Sequence, residues 1–247
     1  MIQIGRTSFK KVDGHDEVIT ENVVQVIEKL NDKFSSTVIK LRSDRLDQLK
    51  NVLENPTSNP VDILFKDSKV DDFELDVPDQ LFTPGIEISG PSSQTSMFIN
   101  GLNKNSDGFR ADGDLDDNED ASGHTLEDTV RSAINRKGAV LRNLEYFDKN
   151  KNKKYSLNPG ALPFFMHRER GILLDEKDYL IDGKPVIASI LDTVLTLMHC
   201  GLEQQKKGDN IYFYIPKLET SKEVDFWKIF FDEAVKLIPN LNGDKIK

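Results

Sequence analysis

NPGALPFFMHRERGILLDEKDYLI, Asn158 to Ile181, is the stretch whose reading decides the fold. An apolar run from Leu162 to Met166 leads straight into His167-Arg168-Glu169-Arg170-Gly171. Pro159 and Pro163 precede it and Gly171 follows, so it is short and reads as a buried strand rather than a helix. Two arginines then stand where that strand meets its loop. A guanidinium stays charged and presents a planar fork of donors. At a strand mouth it can hold a carboxylate, or stabilise an oxygen that gains negative charge during reaction. The competing reading is a surface ion pair of Arg168 or Arg170 with Glu169, Asp175 or Glu176.

On either side, strands alternate with helical patterns. Gly85 to Pro91 is short, β-branched and punctuated by glycine and proline, a strand. Ser92 to Asn103 reads as a helix. Gly108 to Asp112 is expected to be the second strand. Val130 to Leu144 begins helical, Val140 to Phe147 reads as a strand, and the Asn- and Asp-rich turn after it suits a hairpin back into Tyr155-Ser156-Leu157. Ala188 to Gln204 carries Ile190, Leu191, Val194, Leu197, Met198 and Leu202 on one broad helical face. Asn210 to Lys217 is another buried strand, with Lys217 and Glu219 expected at the same mouth as Arg168. Val224 to Leu237 closes with a helix. Strands near 86, 109, 164 and 212 alternating with helices make a β/α repeat with parallel strands.

The chain opens with helices. Thr20 can cap one whose apolar positions Val23, Ile27, Leu30 and Phe34 recur at helical spacing. Val38, Leu41, Leu49 and Leu53 extend the pattern, in a second helix expected after Ser35-Ser36 and stopped at Asn55-Pro56. Asn55 to Phe82 is a polar connection in which Val61 to Phe65 is a short strand or an anchor. The domain reading is 1–82 as a helical segment with linker, and 83–247 as the β/α domain with a hairpin insertion near 140–157.

Asp112, Asp114, Asp116, Asp117, Glu119 and Asp120 crowd one short stretch. A calcium loop needs glycine at its sixth position and a bidentate Glu at its twelfth. Counted from Asp112 these are Asp117 and Gly123, so the pattern fails. A loosely bound divalent ion and a solvated, self-repelling loop are the other readings, and the solvated loop is the expectation.

Composition narrows the partners. The 247 residues carry a net charge of −9 with 37% hydrophobic and 30% charged residues. Acidity argues against nucleic acid and against an anionic membrane surface. No apolar run approaches the roughly 20 residues that span a bilayer. Met1 to Lys11 lacks the apolar core of a signal peptide, and the last residues are not a peroxisomal Ser-Lys-Leu address. The lone Cys200 excludes an internal disulfide, fits a reducing compartment, and reads as a packed thiol. A cytoplasmic location is the expectation.

The stretch resembles the malate synthase family. That family carries Arg-x-Arg-Gly followed by Glu-Lys, then "DG-P-ASI-D", then "YFYLPK-E". Here these stand as Arg168-Glu169-Arg170-Gly171, Glu176-Lys177, Asp182 to Asp192, and Tyr212 to Glu219. Gly85 to Pro91 is similar to the family's "EITGP" strand, and Ile99 to Asn103 to its "INALNA". Its "ADFEDS" and "PTW" are met only in Glu119, Asp120, Ser122 and Thr125. Matching its Ala-Asp at Ala111-Asp112 then requires an insertion of roughly five residues.

The resemblance implies an α/β fold, an N-terminal helical segment followed by a partial (β/α)₈ TIM-type barrel of about four units. It implies condensation of acetyl-CoA with glyoxylate to malate, in the glyoxylate cycle, with Mg²⁺. Arg168 matches the catalytic arginine that stabilises the enolate oxygen. Arg170, Lys217, Glu219, Glu119 and Asp120 are weaker candidates for substrate binding. No metal ligand is assigned, because the family's catalytic aspartate and magnesium ligands are expected beyond Lys247. The chain is therefore expected to be incomplete and inactive alone, and to self-associate or to meet a chain supplying the rest of the barrel. Two alternatives stay open. One is a non-catalytic relative that binds a 2-oxo acid or acyl-CoA, or serves as an interaction module. The other is a related CoA-ester lyase using the 112–120 loop for its metal.

Overall fold

The apolar run does form a strand, β7 (Phe164–Arg168), and the main sheet is built on it. The computed structural model describes residues 1–56, 77–82 and 85–247, so the expected strand or anchor at Val61 to Phe65 lies outside the described residues. β3 (Glu87–Gly90), β4 (Gly113–Asp117), β7 and β10 (Tyr212–Phe213) pair in the order β10-β7-β4-β3, every pair parallel. Ile246 bridges Ile211 in the same parallel sense, beside β10. Helices α3 (Thr95–Leu102), α4 (Leu126–Leu141) and α5 (Ala188–Leu195) lie between successive strands, and α7 (Ser221–Leu237) follows β10. This is a partial β/α barrel.

The second strand is not where the sequence pattern put it. Gly108 to Asp112 is irregular and Phe109 is exposed, while the acidic stretch itself forms β4. Asp114, Asp116, Asp117 and Glu119 are buried, not solvated. Aspartate is a poor strand former, but cations from neighbouring elements meet Asp116, Asp117 and Glu119, and that overrides local preference. Gly113 is required by packing, since a Cβ there would sit 2.6 Å from the Phe164 ring.

Two more boundaries move. Val140 and Leu141 finish α4, which ends on Arg142 in the left-handed region, so the hairpin strand β5 begins only at Glu145. β5 (Glu145–Asp148) pairs antiparallel with β6 (Lys153–Ser156). The expected break at Ser35-Ser36 is absent: α2 (Glu21–Glu54) is one helix. Its buried positions Phe34, Val38 and Leu41 keep helical spacing across the serines, whose propensity cost is only a few tenths of a kcal/mol. Leu49 and Leu53, expected on the apolar face, are exposed.

A second sheet has no counterpart in the sequence reading. β1 (Ile2–Ile4), β2 (Thr7–Phe9), β8 (Asp175–Ile181) and β9 (Lys184–Ile187) form an antiparallel sheet in that order. It carries the chain from Gly171 to α5. α2 packs on α5 and α7. Val23, Ile27 and Leu30 thus share one core with Leu191, Val194 and Phe230. Beyond α5 the helix widens into a π segment, Thr196–Gly201, before α6 (Leu202–Lys206). Such bulges interrupt the regular ladder and turn side chains out of register.

Candidate active site

Strand register decides which side chains reach the site. Asp116 pairs with His167 and Asp117 with Arg168 across β4 and β7. Side chains alternate, so Asp114, Asp116, Phe165 and His167 point to the helix-covered side. Leu115, Asp117, Phe164, Met166 and Arg168 point to the inner side, with Asp117 and Arg168 at the C-terminal ends. That end is where barrel enzymes assemble their sites.

Arg168 is fixed there by carboxylates. Its Nε donates to Asp117 Oδ1 at 2.8 Å, and its Nη2 to Asp117 Oδ2 and Asp120 Oδ2, both at 2.6 Å. The hydrogen bond to Asp117 is the main reason the guanidinium pKa is raised. Asp117 Oδ1 also accepts the backbone N–H groups of Glu119 and Asp120, at 2.9 and 3.0 Å, which folds the loop back over the strand end. Lys217, in the left-handed region at φ 55°, donates from Nζ to Asp120 Oδ1 at 2.8 Å. That bond holds the Asp120 carboxyl below its ordinary range. The Tyr214 ring, half exposed, lies 5.9 Å from the guanidinium, a cation–π distance. Nη1 of Arg168 has no hydrogen-bond partner among the described residues.

Behind this mouth lies a buried charged network. Arg136 donates to Asp116 and, at 2.7 Å, to Glu169 Oε1. Thr196, in the π segment, shares that Glu169 oxygen. Asn118 Nδ2 donates to Glu169 Oε2 at 2.9 Å and Ser132 donates to Asn118. His167 Nδ1 lies 2.7 Å from Asp116 Oδ2 and Nε2 lies 3.1 Å from Gln204 Oε1. Burial works against a charge on His167, but the Asp116 carboxylate outweighs it and raises the imidazole pKa well above its usual value. A charged ring donates from both nitrogens, which suits both partners. Asp114 has no such cation in contact. Burial, reinforced by Asp116, pushes its carboxyl up to about 8, and its Oδ2 has no partner.

The structure brings together Arg168, Asp120, Lys217 and, one layer deeper, Glu119. Glu119 Oε2 accepts the Gly171 N–H at 2.7 Å and its Oε1 lies 3.8 Å from Lys217. Arg170 is not at the mouth. It is fully buried against Asp192, Glu176 and Thr129, so it follows the ion-pair reading in part, as an interior pair. Glu219 is also elsewhere, exposed and paired with Arg45 at 2.9 Å. His199 Nε2 donates to the Val18 carbonyl, 2.8 Å away, as a packing residue does. Sequence reasoning missed Asp117 and Tyr214 as site residues, and Arg136, Asp116 and Gln204 as their support.

Mg²⁺ and an acyl-CoA are what the resemblance implies. Among the described residues there is no group of three or more His, Cys, Asp or Glu side chains placed to hold a metal. The carboxylates of the mouth are already met by Arg168, Lys217 or the Gly171 N–H. The described residues therefore do not fit the ion.

A parallel β/α sheet with a carboxylate-fixed guanidinium at its C-terminal mouth defines a partial β/α barrel with a charged site at its strand ends. Residues 164–247 match the malate synthase TIM barrel domain. A malate synthase of Myxococcus xanthus is 37% identical over 158 residues, 64% of this chain and 28% of that protein. One of Arabidopsis thaliana is 34% identical over 164 residues, again 28% of its length. A bifunctional glyoxylate cycle protein of Caenorhabditis elegans is 29% identical over 226 residues, 90% of this chain and 22% of that protein. The chain is similar to malate synthases, and its match spans little more than a quarter of the length of the first two. The strand assignment also revises the sequence comparison. With β4 ending at Asp117, the family's "ADFEDS" can be laid on Asp116 to Ala121 with Asp117, Glu119 and Asp120 in phase, so the Ala-Asp match need not fall at Ala111-Asp112.

Proposed function

We propose that this chain forms the arginine-bearing side of a malate synthase-type site, acting on glyoxylate and acetyl-CoA in the glyoxylate cycle. The observation that carries it is the geometry of Arg168. Asp117 and Asp120 hold Nε and Nη2, which leaves Nη1 to donate to a substrate oxygen. When the acetyl methyl loses a proton, the thioester oxygen gains negative charge. A preorganised guanidinium stabilises such an oxygen, because its donors need not reorient as the charge develops. Tyr214 beside it limits the approach to one face, and Lys217 adds positive charge at the rim.

The described residues offer no carboxylate free to act as the base, since Asp117, Glu119 and Asp120 are each engaged. This favours a second reading for the 247-residue chain taken by itself: a module that binds a 2-oxo acid or an acyl-CoA without turning it over, self-associated or joined by a chain that adds barrel units, in the cytoplasm. General acid–base help alone is worth about 10² to 10⁴-fold. Incubating the pure chain with acetyl-CoA, glyoxylate and Mg²⁺ tests it. We expect no malate above background, and glyoxylate binding by calorimetry that Arg168→Ala weakens. Robust turnover would overturn the binding-only reading. Glyoxylate binding indifferent to Arg168→Ala would overturn the role of the arginine.

A further inference from the structure

The sheet has a second end. Opposite the mouth, where β7 begins, lies a cavity of about 460 Å³ lined by Gly160 to Phe165, by Gln204 of α6 and the residues after it, and by the end of α4 at Val140 and Arg142. Phe164 to Arg168 spans four strand steps, so cavity and mouth stand roughly 13 Å apart along β7. The volume is within the range of small-molecule sites, about 300 to 1,000 Å³. Leu162, Phe164 and Tyr212 give it apolar walls.

Its polar groups have spare hydrogen-bonding capacity of one kind. Arg142 is set by the left-handed turn that ends α4, and its Nη2 donates to the Asn158 carbonyl. Its Nη1 is buried with no partner. Gln204 is 3% exposed, and its Oε1 is taken by His167 and Cys200. Its amide NH₂ has no hydrogen-bond partner among the described residues. Lys207 donates to the Val140 carbonyl and has two further N–H groups. Asp209 is the one carboxylate on the wall. Arg142 Nη1 is an orphaned buried donor, which costs free energy until an acceptor meets it, and the Gln204 amide and the exposed Lys207 ammonium bring further donors to the same aromatic-walled cavity.

We propose that this cavity binds a small organic anion, a carboxylate or a phosphate monoester, with its head on Arg142, Gln204 and Lys207 and its apolar body against Leu162, Phe164 and Tyr212. The site is separate from the mouth and does not rest on the malate synthase reading. Gln204 connects the two, because its acceptor oxygen is held by His167, the neighbour of Arg168.

Calorimetric titration of the 247-residue chain with benzoate, phenyl phosphate and benzyl alcohol tests the proposal. We expect saturable binding of at least one of the two anions and none of the neutral alcohol. Whichever anion binds more tightly identifies the head group. Arg142→Ala should weaken binding at least about tenfold, as loss of a charge-assisted pair does. Ala161→Trp, placed at the exposed rim to fill the cavity, should abolish it. If circular dichroism shows Arg142→Ala unfolded, Ala161→Trp decides. No saturation by either anion up to about 10 mM overturns the proposal, as does equal binding of benzyl alcohol. So does anion binding indifferent to the substitutions in folded protein, which would place the anion at the mouth.

Discussion

Asp117 grips Arg168 through both carboxylate oxygens, at 2.8 and 2.6 Å, across a register pair of adjacent parallel strands. The pair sits where β4 and β7 end, so it fixes the guanidinium and the loop after β4 together. Asp117→Asn keeps an acceptor for the Glu119 and Asp120 N–H groups but turns an NH₂ toward a cation. We expect a loss of about 1–3 kcal/mol, the range for a hydrogen bond to a charged group in a mostly buried position. A urea midpoint that falls with unchanged slope reports it. A midpoint equal to the parent protein would mean that the pair contributes nothing to the fold.

Asp114 gives the fold a pH dependence of known sign. Its folded pKa is near 8, against 3.8 for the free side chain. A raised pKa means that the folded state holds the proton more tightly. The stability it confers is full below about 4 and is lost as pH rises toward 8. Asp114→Asn removes the titration, so the variant should gain on the parent progressively across that window, by several kcal/mol at the top in order of magnitude. Urea unfolding of both proteins at pH 5 and pH 8 measures the difference. A constant gap between them would show that Asp114 is ionised in the fold throughout.

Arg136 is the cation shared by two buried carboxylates, Asp116, which His167 also meets, and Glu169, which otherwise has only neutral donors. It is 1% exposed and bonds both Asp116 and Glu169. Removing one partner of a buried pair costs about 3–5 kcal/mol, because the other charge stays buried and uncompensated. Arg136→Met should cost at least that, read from the thermal midpoint. Adding Asp116→Asn and Glu169→Gln should recover part of the loss, since the charges that suffer are then gone. A triple variant no better than the single one would refute the charge argument.

The sequence was most legible where apolar residues set the pattern. Leu162 to Met166, Ala188 to Gln204 and Val224 to Leu237 all read correctly as strand, helix and helix, since burial and periodicity agree there. It was least legible where charge is buried. Gly113 to Asp117 looks solvated because nothing local shows that Arg136, His167 and Arg168 will meet those carboxylates, and the first two partners lie 20 and 51 residues away. The β8–β9 pair was hidden for a different reason. Asp175 to Ile181 runs four charged residues and then three apolar ones, so its residue types carry no period-2 signal, although its burial alternates once Glu176 is drawn inward by Arg170. At the site, Arg168 and Lys217 were found from motif and strand-end position. Glu219 was misplaced because β10 is only two residues long and the chain turns at Lys217, carrying Glu219 out to Arg45.

The open side of the sheet leads to the last expectation. β3 has β4 on one side and no strand on the other among the described residues. Ile86 is 73% and Ile88 41% exposed along it. On the inner face Leu115, Phe164 and Met166 remain only half-buried. An unpaired strand edge offers a row of N–H and C=O groups to another chain, and apolar surface left in water forgoes roughly 25 cal/mol for each Å². α2 does not relieve this, because it packs on α5 and α7 rather than across the inner face. We therefore expect the 247-residue chain to self-associate, with a light-scattering mass above 28.0 kDa that rises with concentration. Ile88→Lys, which puts a charge on the β3 edge, should return the mass toward that of a monomer. A monodisperse monomer of the parent protein at high concentration would show that the edge and inner face are tolerated as they stand, and would defeat the argument.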